Sequence, residues 1–258
     1  MEISLSGRSA IVTGGSKGIG FAIAKRFAES GGDVAIVART RTSLDEAVGQ
    51  IKSGTNALVV GIQGDVGKAE DVQRAYAEAM AAFGKVDIMV NNAGTSRAGP
   101  FEAMSDALLQ EDLELKLLAA VRFCRLVLPR MKERKWGRII NVLNIGAKAP
   151  RAASAPTSVS RAAGMALTKA LASEYAPFNI LVNGLLVGLI DADQHVQKAK
   201  SRGISLDEYK APLAKDVPLG RFGRAEEFAN MACFLASEQG GYITGTAINI
   251  DGGRSPVV

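Results

Sequence analysis

The stretch "SAIVTGGSKGIGFAIAKRFAES" (residues 9–30) decides the fold. Its first part, "SAIVTGG" (9–15), is an apolar run closed by glycines, which predicts a strand. "GFAIAKRFAES" (20–30) spaces its apolar residues as a helix does and stops at Gly31–Gly32. Between them "TGGSKGIG" (13–20) joins strand to helix through a glycine loop. Gly14 permits the tight turn, Gly18 lets backbone approach a diphosphate, and Gly20 lets the helix pack closely. Ser16, Lys17 and Ile19 complete the loop at the helix N-terminus, whose unpaired N–H groups and positive dipole end suit that anion. A bare structural turn uses the same glycines, but strand, loop and helix stand here in the order a dinucleotide requires.

Outward from this stretch, short apolar runs alternate with helical patterns. "DVAIVAR" (33–39), "ALVVGI" (57–62), "VDIMVNNAG" (86–94), "GRIINVL" (137–143), "NILVNGLL" (179–186) and "TAINI" (246–250) read as strands. Helices are expected over about 41–52, 69–82, 104–133, 155–176 and 225–237. Apolar strands separated by helices imply a parallel sheet covered on both faces. The expectation is an α/β chain with one Rossmann-type, doubly wound parallel sheet. A small helical lid is expected over about 189–218. Without a linker, repeat or low-complexity run, residues 1–258 read as a single domain. In such sheets ligands sit beyond the carboxyl ends of the strands, where the topology reverses.

Hydrophobic residues make up 47% and charged residues 22%, the balance of a soluble globular chain. The net charge of +5 is scattered, which argues against nucleic acid and fits an anionic ligand. Its densest cluster, "PRMKERKWGR" (129–138), reads as a solvated helix end. Cys124 and Cys233 lie among apolar residues, as buried thiols in a reducing compartment do. The start has no signal-peptide character, and "ILVNGLLVGLI" (180–190) is too short for a membrane span. A cytoplasmic location is expected. No metal-ligand cluster is visible.

The end of the second predicted strand distinguishes cofactors. An acid there accepts a ribose 2′-hydroxyl; a base accommodates a 2′-phosphate. "VARTR" places Arg39 at the tip and Lys17 in the glycine loop, so NADP(H) is expected over NAD(H); two solvated bases are the alternative. "GDV" (64–66) offers Asp65 and Val66 to adenine. "NNAG" (91–94) sets Asn92, Ala93 and Gly94 where the cofactor would pass, while Asn91 either touches it or pins neighbouring backbone.

With "TGGSKGIG", "NNAG", "GRIINV", "ILVNGLLVG", "PLGRFGRAEE" and "YITGTAINIDGG" in this order, the chain resembles a short-chain dehydrogenase/reductase over about residues 5–253. It is most similar to the branch containing bacterial 3-oxoacyl-[acyl-carrier-protein] reductases. The resemblance implies a homotetramer built through the tail, and a catalytic set of Asn, Ser, Tyr and Lys. In that set tyrosine exchanges the proton, lysine lowers its pKa and holds the ribose, serine orients the carbonyl, and asparagine holds a relay water. Carried over by position, this chain has Lys116, Asn144, Thr157 and Arg161 instead. The Pro-Gly usual after strand six is Val187–Gly188. The chain thus resembles a subgroup of ketoreductase-like members without the tetrad, several of which carry a phrase like "RGISLDEY" (202–209).

In "APTSVSRAAG" (155–164), Thr157 and Arg161 are four apart and share a helix face. Neither trades a proton near neutral pH. Arg161 can hold ribose hydroxyls, and the Asn144 amide can polarise a carbonyl or serve as a turn residue. Lys116 alone has a movable proton: in a dry cleft beside Arg161 its pKa falls and it can act as the acid, whereas on a solvated helix face it does nothing. The lid offers Asp191, Asp193, His195 and Tyr209, with His195 expected to be solvated. Leu189, Ile190, Ile204 and Leu206 suggest a partly apolar ligand. Two functions stay open: an NADP(H)-dependent oxidoreductase acting on a carbonyl or alcohol, and a catalytically silent NADP(H)-binding protein with a regulatory or scaffolding role.

Overall fold

The computed structural model describes residues 2–258, apart from the side chains of residues 193, 194 and 197. Seven strands form one sheet: β1 (Ser9–Thr13), β2 (Asp33–Ala38), β3 (Val59–Gln63), β4 (Ile88–Asn91), β5 (Gly137–Asn144), β6 (Ile180–Val187) and β7 (Ala247–Ile250). Their order is β3-β2-β1-β4-β5-β6-β7, and every neighbouring pair is parallel. Every residue of β1 is buried, so this strand is covered on both faces.

One face packs on α1 (Gly18–Glu29), α2 (Arg41–Lys52) and α9 (Ala225–Ala236), with Ile23, Phe27, Leu44 and Phe228 inside. The other packs on α3 (Ala69–Phe83), α5 (Ala119–Arg134) and α6 (Ala155–Tyr175), with Val72, Phe123, Val127 and Ala172 inside. The chain moves outward from β1 through β2 to β3, then returns to β4 on the other side of β1. That reversal leaves a crevice beyond the carboxyl ends of β1 and β4.

The helix expected over 104–133 differs from a plain α-helix. It comprises α4 (Asp106–Leu113), a π turn over Glu114–Leu118, and α5. Ser105 caps α4 by accepting a hydrogen bond from the Leu108 N–H at 3.2 Å. The extra residue of the π turn re-aims the side chains around Lys116, a device common at functional sites.

The stretch over 129–138 is only partly a solvated helix end. α5 stops at Arg134, but Trp136 is buried and Arg138 is almost fully so. The guanidinium groups of Arg8 and Arg138 lie 3.6 and 4.2 Å from the Trp136 ring centre, and Glu238 accepts hydrogen bonds from Arg8 and Trp136. The indole therefore draws both cations inward. Cys124 and Cys233 are free and buried, and burial pushes the Cys124 thiol up to about 12. Among the described residues, no helix is long and apolar enough to cross a membrane.

Candidate active site

The glycine loop is fixed from three sides. Gly14 adopts φ +64°, and its N–H donates to the Val37 carbonyl. A Cβ on Gly20 would lie 2.2 Å from the Gly14 carbonyl oxygen, so only glycine lets α1 start here. The Asn92 amide donates to the Thr13 and Gly14 carbonyls at 2.8 and 3.2 Å. Its side chain therefore pins the loop. Asn91 is buried in β4, and its amide meets another side chain instead of backbone, donating to Asn141 Oδ1 on β5 at 2.9 Å.

Beyond these strand ends lies a cleft of about 470 Å³. Of the sequence-derived cofactor residues, Gly14, Ser16, Lys17, Arg39, Asp65, Val66, Ala93 and Gly94 line it; Gly18, Ile19, Gly20, Asn92 and Arg161 do not. Lys17 and Arg39 both keep exposed side chains where they line the cleft. Asp65 Oδ1 accepts from the Gly67 N–H at 3.0 Å, which holds that turn. Thr42, Ser43 and Glu46 from α2 also line the cleft. The "RTRTS" run that supplies two of them was the available signal.

Lys116, Thr157 and Arg161 come together behind Gly94, which lines the cleft while they do not. A Cβ on Gly94 would meet an Arg161 terminal nitrogen at 2.6 Å and Lys116 Cγ at 3.3 Å. Of the two readings of Lys116, the solvated one is excluded: its side chain is 0% exposed. Lys116 Nζ donates to Asp112 Oδ1 at 2.5 Å and to Thr157 Oγ1 at 3.0 Å. Ser160 Oγ donates to Asp112 Oδ2 at 2.7 Å. Asp112 and Ser160 escaped the sequence reading, although Asp112 stands four residues before Lys116, where helical partners meet.

Burial lowers the Lys116 ammonium to a pKa of about 8; the nearby Arg161 and Arg97 charges push the same way, and Asp112 opposes them. Arg161 is lowered to about 10, again chiefly by burial, and donates to the Val142 carbonyl at 2.7 Å. Asn144 closes β5 with its Oδ1 buried and without a donor in the described residues.

Thr157 is fully committed. Its hydroxyl accepts from Lys116 and from the Arg97 N–H at 2.9 Å, and donates to the Arg97 carbonyl at 2.9 Å. One donor and two acceptor positions are all that a hydroxyl has. The segment after β4 is thereby held over the site, and the Arg97 guanidinium pairs with both oxygens of Glu111.

The lid forms two helices, α7 (Asp193–Ser201) and α8 (Leu206–Ala214), the second opened by a capping box of Ser205 and Glu208. His195 is not solvated. It is buried against the rings of Tyr209 and Phe222, at 5.8 and 5.1 Å between centres. Burial, then the Lys198 charge, hold its imidazole below the ordinary range. Asp191 pairs with Lys210, while the side chain of Asp193 lies outside the described residues. Leu189 and Ile190 line a separate cavity of about 560 Å³, but Ile204 is exposed and Leu206 half-buried.

Residues 14–255 match a family model described as Enoyl-(Acyl carrier protein) reductase. The chain is 33% identical over 253 residues to a 3-oxoacyl-[acyl-carrier-protein] reductase of Aquifex aeolicus, covering 98% of this chain and 99% of that one. It is 35% identical over 251 residues to the human dehydrogenase/reductase SDR family member 4, covering 96% and 88%. The L-sorbose reductase from Gluconobacter frateurii, solved in complex with NADPH and L-sorbose, superposes with a TM-score of 0.96 at 35% identity over 100% of both chains. The chain belongs to the short-chain dehydrogenase/reductase family.

Replacing Thr157 by Val strips three hydrogen bonds, one from the buried Lys116 and two from the half-buried Arg97 backbone. We expect this change to destabilise the fold by about 1–3 kcal/mol, because unpaired buried groups keep their desolvation penalty. Hydrogen exchange at the Arg97 amide should accelerate in parallel; unchanged protection there would contradict the latch.

Proposed function

We propose that this chain is an NADP(H)-dependent oxidoreductase acting on a carbonyl or alcohol, in the manner of 3-oxoacyl reductases, with its proton supplied by Lys116 through Thr157. The residues fit a dinucleotide: the glycine loop and α1 N-terminus for the diphosphate, Lys17 and Arg39 for a 2′-phosphate, Asp65 and Val66 for adenine, and Arg161 for the inner ribose. When bound, NADPH would supply a hydride to the carbonyl carbon. This chain's residues must then deliver a proton to the carbonyl oxygen.

One observation carries the proposal. Thr157 Oγ1 already donates to a carbonyl oxygen, that of Arg97, while receiving a hydrogen bond from Lys116 Nζ. The Arg97 carbonyl stands in for a substrate carbonyl. With substrate in its place, the Thr157 proton passes to substrate oxygen as the Lys116 proton passes to Thr157. A threonine alone is far too weak an acid at neutral pH, but a relay from an ammonium near pKa 8 is well matched. The substrate is a small molecule, partly apolar and admitted beside the lid, and the setting is the cytoplasm.

The second reading is a silent NADP(H)-binding protein with a regulatory or scaffolding role. It is favoured by the same latch, which leaves Thr157 no free hydrogen-bonding position while Arg97 stays in place. We also propose a homotetramer. β7 ends the sheet with its residues only half-buried, and Leu219 and Tyr242 nearby are exposed.

Four outcomes check these proposals. NADPH should bind more tightly than NADH, and Arg39→Ala should weaken NADPH by roughly 10- to 100-fold with little effect on NADH; equal affinities in a fluorescence titration would refute this. Carbonyl reduction across a substrate panel should decline as pH rises through about 8, because the acid form of Lys116 is lost there. In Lys116→Met the rate should drop roughly 10²–10⁴-fold with NADPH affinity retained; full activity in that variant would remove the relay, and no wild-type turnover at all would favour the silent reading. Light scattering at micromolar concentration should report four chains, and a monomer would sink the assembly.

A further inference from the structure

Asp112 lines neither the cofactor cleft nor the position a substrate would take, yet it is buried to 1% exposure. Both of its oxygens are engaged, Oδ1 by Lys116 and Oδ2 by Ser160. A carboxylate placed so deep needs a reason. Stability supplies a poor one, since a buried ion pair seldom outdoes two apolar side chains of similar volume.

The charges around Lys116 come from three elements. α4 brings Asp112, α6 brings Arg161 with the neutral Thr157 and Ser160, and the segment after β4 brings Arg97, itself paired with Glu111. The two arginines and the loss of water all favour a neutral amine. Only Asp112 favours the ammonium. A neutral Lys116 keeps two N–H bonds but is far too weak an acid to release either, so the relay would have no proton to give. The Ser160 hydrogen bond fixes the plane of the carboxylate, which keeps Oδ1 on the Lys116 side.

We infer that Asp112, anchored by Ser160, is a positioning residue that holds Lys116 in its ammonium form and aimed at Thr157. This role rests on the reading of Lys116 as the proton source. It assigns the site a three-residue unit, Ser160–Asp112–Lys116, behind the hydroxyl that faces substrate.

The test follows the Lys116 side chain directly in the full-length protein. Lysine side-chain NMR across pH 6 to 11, with Lys116 assigned by its absence in Lys116→Met, gives its titration without any substrate. Asp112→Asn keeps the shape and an acceptor oxygen but removes the charge. We expect the Lys116 titration to fall by about 1–3 pH units in that variant. The pH at which carbonyl reduction declines should fall with it, while NADPH affinity and KM stay within about twofold. A merely structural pair would not move the pH profile in this way. Ser160→Ala, the milder change, should move the titration in the same direction by less, and serves if Asp112→Asn does not fold. An unmoved Lys116 titration in the folded variant would overturn the inference, whether or not turnover is detected. Full activity in Lys116→Met is a separate result: it would remove the proton-source reading on which the role of Asp112 depends.

Discussion

Two cations and one carboxylate share a water-poor space behind Gly94, and the inner half of the cleft is organised around that fact. Burial disfavours every one of these charges, so each is tied to a partner that offsets part of the cost. Lys116 has Asp112 and Thr157, Asp112 has Ser160, and Arg161 has the Val142 carbonyl at the end of β5. The π turn at Glu114–Leu118 belongs to the same arrangement, because it sets Lys116 against α6. Gly94 belongs to it too, since any side chain there would strike Arg161.

The outer half of the cleft answers to a different constraint, the reversal of strand order between β1 and β4. The glycine loop needs Gly14 in a left-handed turn and Gly20 against the Gly14 carbonyl, and Asn92 ties the loop to β4. None of this depends on the residues behind Gly94. The two halves can therefore change separately. A chain can keep its dinucleotide cradle while its proton-handling residues are replaced as a group.

That separation explains what the sequence disclosed. The parallel sheet, the glycine loop and Arg39 at its strand tip are local features, written in contiguous residues with fixed spacing. Lys116, Thr157 and Arg161 were found because a family pattern marked their positions. Asp112 and Ser160 had no such mark. Their roles arise from α4 and α6 meeting, which is a long-range contact that no single stretch encodes. His195 failed for the same reason: a lone histidine in a polar segment looks solvated until Tyr209 and Phe222 fold over it. Arg138 was misplaced with the helix end before it, because its burial depends on Trp136 and on Glu238, a hundred residues away.

Side-chain length governs what remains. A tyrosine at position 157 would carry its hydroxyl on a ring and fill the space in front of α6. Threonine ends at its Cβ substituents, and the Arg97 backbone lies within reach of both hydrogen-bonding sides of its hydroxyl. The Lys116 ammonium fills the other acceptor position of the same hydroxyl. Leaving one such group unsatisfied costs roughly 1–3 kcal/mol. The short side chain thus does more than weaken an acid: it ties the segment after β4 to α6 and holds the Lys116 side chain between them.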